Sequence, residues 1–134
     1  MCIRDSLNTL YLSENLLHNI TPLMNYKGLI NLDLSNNQVT DLAPISKLRK
    51  IKVLNVSHNP INNINPIYHI KNLTSLNLRN TNVENLKEIN QLKNLNEIYL
   101  DEHVNRQTLS FLIGNFKDAD IYTKSYLITK EIFQ

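Results

Sequence analysis

What most limits how this chain can fold is a repeat: apolar residues return at a constant separation of 22 along most of its length. Leu7, Leu29, Ile51, Leu73 and Leu95 occupy the first position of successive units. The fourth position holds Leu10, Leu32, Leu54, Leu76 and Ile98, and the sixth holds Leu12, Leu34, Val56, Leu78 and Leu100. Three further columns run Leu17–Val39–Ile61–Val83, Ile20–Leu42–Ile64–Leu86 and Leu23–Ile45–Ile67–Ile89. Asn15, Asn37 and Asn59 stand at the ninth position, and Pro22, Pro44 and Pro66 at the sixteenth. Units this short cannot bury an apolar face alone, so they must stack on their neighbours.

Within a unit, the fourth and sixth positions share one face of a short strand, because side chains alternate along a strand. Side-by-side stacking then makes a parallel sheet over a continuous core. Where the strand ends, backbone groups turn inward without sheet partners. An amide that both donates and accepts suits the ninth position, bonding the turns of its own and an adjacent unit. Loss of the ladder residues Asn37 or Asn59 should therefore cost about 1–3 kcal/mol. The proline column marks the start of the return path, where a fixed φ and a missing N–H suit the first turn of a short helical segment.

The unit pattern LxxLxLxxNxIxxIxPLxxL resembles the leucine-rich repeat, and is similar to the 22-residue class found in bacterial internalins and in a regulatory subunit of protein phosphatase 1. The resemblance covers Leu7–Leu100. It implies an α/β fold: a curved, right-handed solenoid with its parallel sheet on the concave side and short helical or 3-10 segments on the convex side. It implies function less specifically, because the consensus positions are structural ones.

The pattern decays toward the C-terminus, where Thr81 replaces the asparagine, Glu88 replaces the proline and His103 stands in the next asparagine place. Terminal units of a solenoid become caps. Residues 7–103 are accordingly expected to form about four and a half repeats. Residues 104–134, with Phe111, Leu112, Phe116, Ile121, Tyr122, Tyr126 and Phe133, are expected to cover the open end of the core. A helix is expected near Thr108–Phe116, followed by strand-like ADIYT and KSYLITKEIF. Met1–Ser6 fit nothing downstream and resemble a translated library tag, so a native segment is expected to precede Leu7.

Composition narrows the function classes. A net charge of +2 is too small to argue for nucleic acid, and no apolar run is long enough to cross a bilayer. With Cys2 as the only cysteine there is no internal disulfide framework, and the four histidines lack ligand-like spacing, so neither metal nor cofactor is expected. Only Gly28 and Gly114 are present, which excludes a glycine-rich phosphate loop. No catalytic residues are assigned, and the chain is not expected to be an enzyme.

The family usually binds partners on the concave surface, and three outward columns would line it here: Thr9–Asn31–Val53–Ser75–Glu97, Tyr11–Asp33–Asn55–Asn77–Tyr99 and Ser13–Ser35–Ser57–Arg79–Asp101. Contact energy concentrates on Tyr, Trp and Arg, which singles out Tyr11, Tyr99 and Arg79. Asp33, His58 and Asp101 could set charge complementarity, with Asn55 and Asn77 between them. The expected function is a monomeric protein-binding module. The alternatives are the recognition segment of a larger enzyme or secreted effector, and a structural spacer. A uniformly basic column, Lys27–Arg49–Lys71–Lys93, reads as solvated charge near the ends of the return segments. Sequons at Asn19, Asn55 and Asn72 carry little weight among 22 asparagines.

Overall fold

The computed structural model describes residues 7–101, 104–123 and 126–128; the expectations for Met1–Ser6, His103 and residues 129–134 lie outside them. Seven strands form one sheet in sequence order: β1 (Thr9–Tyr11), β2 (Asn31–Asp33), β3 (Val53–Asn55), β4 (Ser75–Asn77), β5 (Glu97–Leu100), β6 (Asp120–Thr123) and β7 (Tyr126–Ile128). The first six are parallel, and β7 turns back antiparallel to β6. The register is the sequence repeat made physical: Leu10 pairs with Leu32, Leu32 with Leu54, Leu54 with Leu76 and Leu76 with Ile98. A slip of one residue would turn this whole column outward.

The return path of each unit passes through a 3-10 segment: Thr21–Asn25, Ala43–Lys47, Asn65–His69 and Ile89–Gln91. The prolines sit at the start of the first three, as expected. The fourth unit has Glu88 in that place, and its segment is only three residues long. A second device precedes each one. Asn19, Asp41, Asn63 and Asn85 accept the backbone N–H two residues ahead through their side-chain oxygens, at 2.9–3.0 Å. These Asx turns account for part of the asparagine excess.

Between sheet and return path lies a single core, running from Ile20 to Ile121 through every repeat column. Leu34, Val39, Ile45, Leu48, Ile51, Val56, Ile61, Ile67, Leu73 and Leu76 are completely buried. At the N-terminal end Leu7, Leu10, Leu12 and Leu17 are only partly buried, around an apolar groove of about 270 Å³.

The asparagine positions stitch the units together. Asn59 donates through Nδ2 to Val56 O (3.2 Å) and Ser57 O (3.0 Å) of its own unit and to Leu34 O (2.8 Å) of the unit before. Its Oδ1 accepts from Val39 N at 3.0 Å. Asn37 repeats the pattern with Leu34, Ser35, Leu12 and Leu17. Both side chains are buried, whereas Asn15 is exposed and bonds only Leu12 O and Ser13 O of its own unit. Thr81 keeps one own-unit bond, from Oγ1 to Leu78 O at 2.8 Å, and Ile61 N turns instead to Asn59 O. Among the described residues no buried side-chain nitrogen or oxygen lacks a partner. In the first four units the residue before the ninth position takes a left-handed backbone: Glu14, Asn36, His58 and Asn80 have φ between 52° and 59°. Asparagine and histidine tolerate this conformation better than most residues.

After β5 the repeat gives way to a true helix, α1 (Arg106–Asn115). It begins two residues before the expected Thr108, because Asn105 caps it by accepting Thr108 N at 2.8 Å. Leu112 and Phe116 enter the core, and β6 then places Ile121 beside Ile98. The offset from Ile98 to Ile121 is 23, so the sheet register outlives the 22-residue period. An open cleft of about 640 Å³ lies between the fourth unit and the start of α1, lined by Leu78, Thr81, Val83, Leu86, Leu100 and Val104.

Two consequences can be measured by urea unfolding. Asn59→Ala leaves the buried Val39 N–H without its acceptor and removes three bonds donated to carbonyls, and is expected to destabilise by about 3 kcal/mol; Asn15→Ala, in exposed surroundings, should cost under about 1 kcal/mol. Leu54→Ala should cost about 2–5 kcal/mol, the range for emptying a packed leucine site. Equal losses at Asn15 and Asn59 would contradict the inter-unit role.

Candidate partner-binding face

The outer face of the sheet carries the residues marked as contact candidates, but the fold uses them unequally. Tyr11 is wide open, at 72% exposure, and Val53 beside the middle of the sheet is 41% exposed. Asp33, Asn55 and Asn77 are half-buried, because each accepts the backbone N–H two residues on, from Ser35, Ser57 and Arg79, at 2.9–3.0 Å. Their side-chain oxygens close the turn at the strand exit and present little free polarity to a partner.

The third outward column needs correction. Ser35 and Ser57 are buried, at 6% and 4% exposure. The strand has ended two residues earlier, so the alternation rule no longer holds there. Their carbonyls instead accept from Asn37 and Asn59, and Ser57 Oγ donates to Asn55 Oδ1 at 2.7 Å. His58 is exposed on the left-handed turn, its Nδ1 2.9 Å from Asn80 Nδ2. Asp101 takes over from the backbone ladder. Where Glu14, Asn36 and His58 donate their N–H to a carbonyl of the next unit, Asn80 N donates to both carboxylate oxygens of Asp101, at 2.9 and 3.0 Å.

Arg79 and Tyr99 do come together. The Arg79 guanidinium lies 5.3 Å from the centre of the Tyr99 ring, and its Nε donates to Leu100 O at 3.4 Å. Tyr122 completes the group, its ring stacked on Tyr99 with centroids 4.7 Å apart and planes 9° from parallel. Sequence reasoning placed Tyr122 among residues covering the core. It missed that β6 continues the outward column: Tyr122 pairs with Tyr99, and Asp120 with Glu97. The alternation Asp120–Ile121–Tyr122–Thr123 carried that signal. Tyr11 is not part of this group. It stands four strands away, roughly 19 Å at sheet spacing.

The basic column Lys27, Arg49, Lys71 and Lys93 is exposed on the return side. Nearby carbonyls, of Arg49 and Lys71, accept from the amides of Asn72 and Asn94, while Lys71 Nζ reaches Gln91 Oε1 at 3.5 Å. Among the described residues no group of His, Cys, Asp and Glu could hold a metal ion, and no helix is long and apolar enough to cross a membrane.

Tyr99 OH donates to Glu97 Oε2 at 2.7 Å. This bond, then burial and the Glu97 charge, push the phenol up to about 12 against the opposing pull of Arg79. Burial, with Glu88 nearby, also raises Tyr68 to about 12. A phenol with a raised folded-state pKa contributes stability that is complete below pH 10 and lost as pH rises through about 12. In a spectrophotometric titration, Glu97→Gln is expected to bring Tyr99 down toward 10. No movement would show that the bond to Glu97 is not what holds the proton.

A model for leucine-rich repeats in two copies matches residues 27–69. No curated protein is a significant sequence match to the chain. Among solved structures, an internalin C2 from Listeria monocytogenes superposes with a TM-score of 0.79 at 26% identity, covering 89% of this chain and 52% of its own. Another Listeria monocytogenes internalin gives 0.75 at 26% identity, covering 87% of this chain and 34% of its own. A leucine-rich repeat protein of Leptospira interrogans gives 0.67 at 25% identity, covering 86% and 36%. The chain thus spans about half of the first structure and about a third of the other two. Repeat columns, sheet register and these likenesses agree: the chain folds as a leucine-rich repeat solenoid similar to that of the internalins.

Proposed function

We propose that the chain is a non-catalytic protein-binding module whose contact surface is the outer face of the sheet. Leucine-rich repeats serve in general as protein–protein interaction modules. The observation that carries the reading for this chain is the Arg79–Tyr99–Tyr122 stack, which sets two aromatic rings and a guanidinium on the outward side of β4–β6. A soluble sheet face needs none of these, and they are the residue types on which contact energy concentrates. Five strand spacings give a face roughly 24 Å across, the size of a modest protein contact. The C-terminal cap expected over residues 104–134 has a supporting role in this reading, with the buried Leu112, Phe116 and Ile121 as its contribution to the core.

A photo-crosslinker attached at Asn55→Cys, in a Cys2→Ser background, should capture a partner from the native source, while one at Lys71→Cys on the return side should not. Adding Arg79→Ala with Tyr99→Ala is expected to weaken the captured partner by about 30-fold or more, the scale of a contact hot spot. The melting temperature should fall by only a few degrees, since both side chains lie on the surface. Capture from Lys71→Cys alone would overturn the reading.

A further inference from the structure

We propose that the return side carries a second binding site, a polar pocket between the third and fourth units that takes one neutral monosaccharide. The site goes beyond the sheet-face reading and does not depend on it. The pocket arises where two positions break the repeat together. The sixteenth position holds Pro22, Pro44 and Pro66, then Glu88; two places further on stand Met24, Ser46, Tyr68 and Asn90. The 3-10 segments of the first three units pack one on the next, but Ile89–Gln91 is shorter and does not continue that packing. A pocket of about 220 Å³ opens there, lined by Asn62, Asn63, Asn65, Tyr68, Asn85 and Glu88.

Tyr68 carries the inference. The residue is only 6% exposed, yet its hydroxyl makes no hydrogen bond to any described residue. Every fully buried side-chain oxygen among the described residues has a partner, so this hydroxyl keeps an opening, and the pocket it lines provides one. Buried tyrosines usually give the hydroxyl a partner; here that place is left to whatever enters the pocket. Burial and the Glu88 charge hold the phenol up at about 12, so at neutral pH the group can still donate as well as accept.

The surrounding groups define what fits. Asn63 and Asn85 commit their Oδ1 atoms to the backbone N–H groups of Asn65 and Lys87, which leaves their Nδ2 groups as donors. Glu88 accepts from Gln91 Nε2 through Oε2 at 3.3 Å, which leaves Oε1 as an acceptor. Asn62 and Asn65 add amides of both kinds. The carboxylate repels an anion, and the amide donors disfavour a cation. A neutral molecule whose groups both donate and accept, as sugar hydroxyls do, matches this mixture. At about 30 Å³ per water the pocket holds roughly seven waters. It falls below the ~300 Å³ at which sites for drug-sized ligands begin, so a single sugar ring is the fitting size.

Titrating the ¹⁵N-labelled chain with glucose, galactose and N-acetylglucosamine, each followed by amide chemical shifts, tests this. At least one sugar should move the amides of residues 62–65 and 85–88 with a dissociation constant in the millimolar range, the scale for so small a ligand. Tyr68→Phe keeps the buried ring and should weaken binding about 5-fold, the worth of one hydrogen bond. Glu88→Pro restores the repeat residue where no backbone N–H bond is lost, and should weaken binding at least about 10-fold. The control Glu84→Gln removes the same charge from an exposed return-side position outside the pocket and should leave affinity unchanged. No shift at these amides with any of the three sugars, or equal affinity in all four proteins, overturns the inference. So does a response to methylammonium in place of the sugars. None of these results bears on the sheet face, which lies on the other side of the core.

Discussion

Strands of three residues do not persist on their own, and everything in this molecule follows from how they are made to. Each inner strand is held by the strand before and the strand after, and from β1 to β5 the register sets a leucine or isoleucine against its counterpart 22 residues away. The buried asparagines tighten the same coupling at the strand exit, because Asn37 and Asn59 each bond two successive units. Hydrophobic burial supplies most of the driving force. The amide ladder lets the chain turn sharply beneath that core without stranding polar groups, which would otherwise cost more than the turn is worth. Stability therefore belongs to interfaces between units more than to any unit.

Much of this was legible in the residues because a fixed period repeats one local choice many times. The strand, the proline-led return and the core columns each appear in three or more units, so chance coincidence is averaged away. What stayed hidden depends on local geometry. Asparagine excess was visible, but its allocation was not. Positions 19, 41, 63 and 85 close turns by an i to i+2 bond that mixes Asn with Asp, and no apolar column marks them. Ser35 and Ser57 were read as outward by strand alternation, yet the strand stops before them. Tyr122 escaped because α1 interrupts the period and shifts the spacing by one, from Ile98 to Ile121, while the sheet itself carries on.

This division has a functional side. Repeated positions answer to the fold, so the residues free to differ are the informative ones. Along the middle outward column, Asp33, Asn55 and Asn77 are tied into turns, whereas Tyr99 and Tyr122 depart from that role and stack instead. The departure coincides with the change from 3-10 returns to a helix. The most chemically distinctive part of the face thereby lies beside the helix that contributes Leu112 to the core. Tyr11 lies at the other end of the sheet, in a less buried unit.

Interdependence of the units is the claim on which the rest stands, and native-state hydrogen exchange at the strand centres tests it most directly. The amides of Leu32, Leu54 and Leu76 should exchange with one common opening free energy, equal to that of global unfolding, because no strand can open while its neighbours stay closed. Three separate opening energies, each well below the global value, would mean that the units stand independently and would contradict this account.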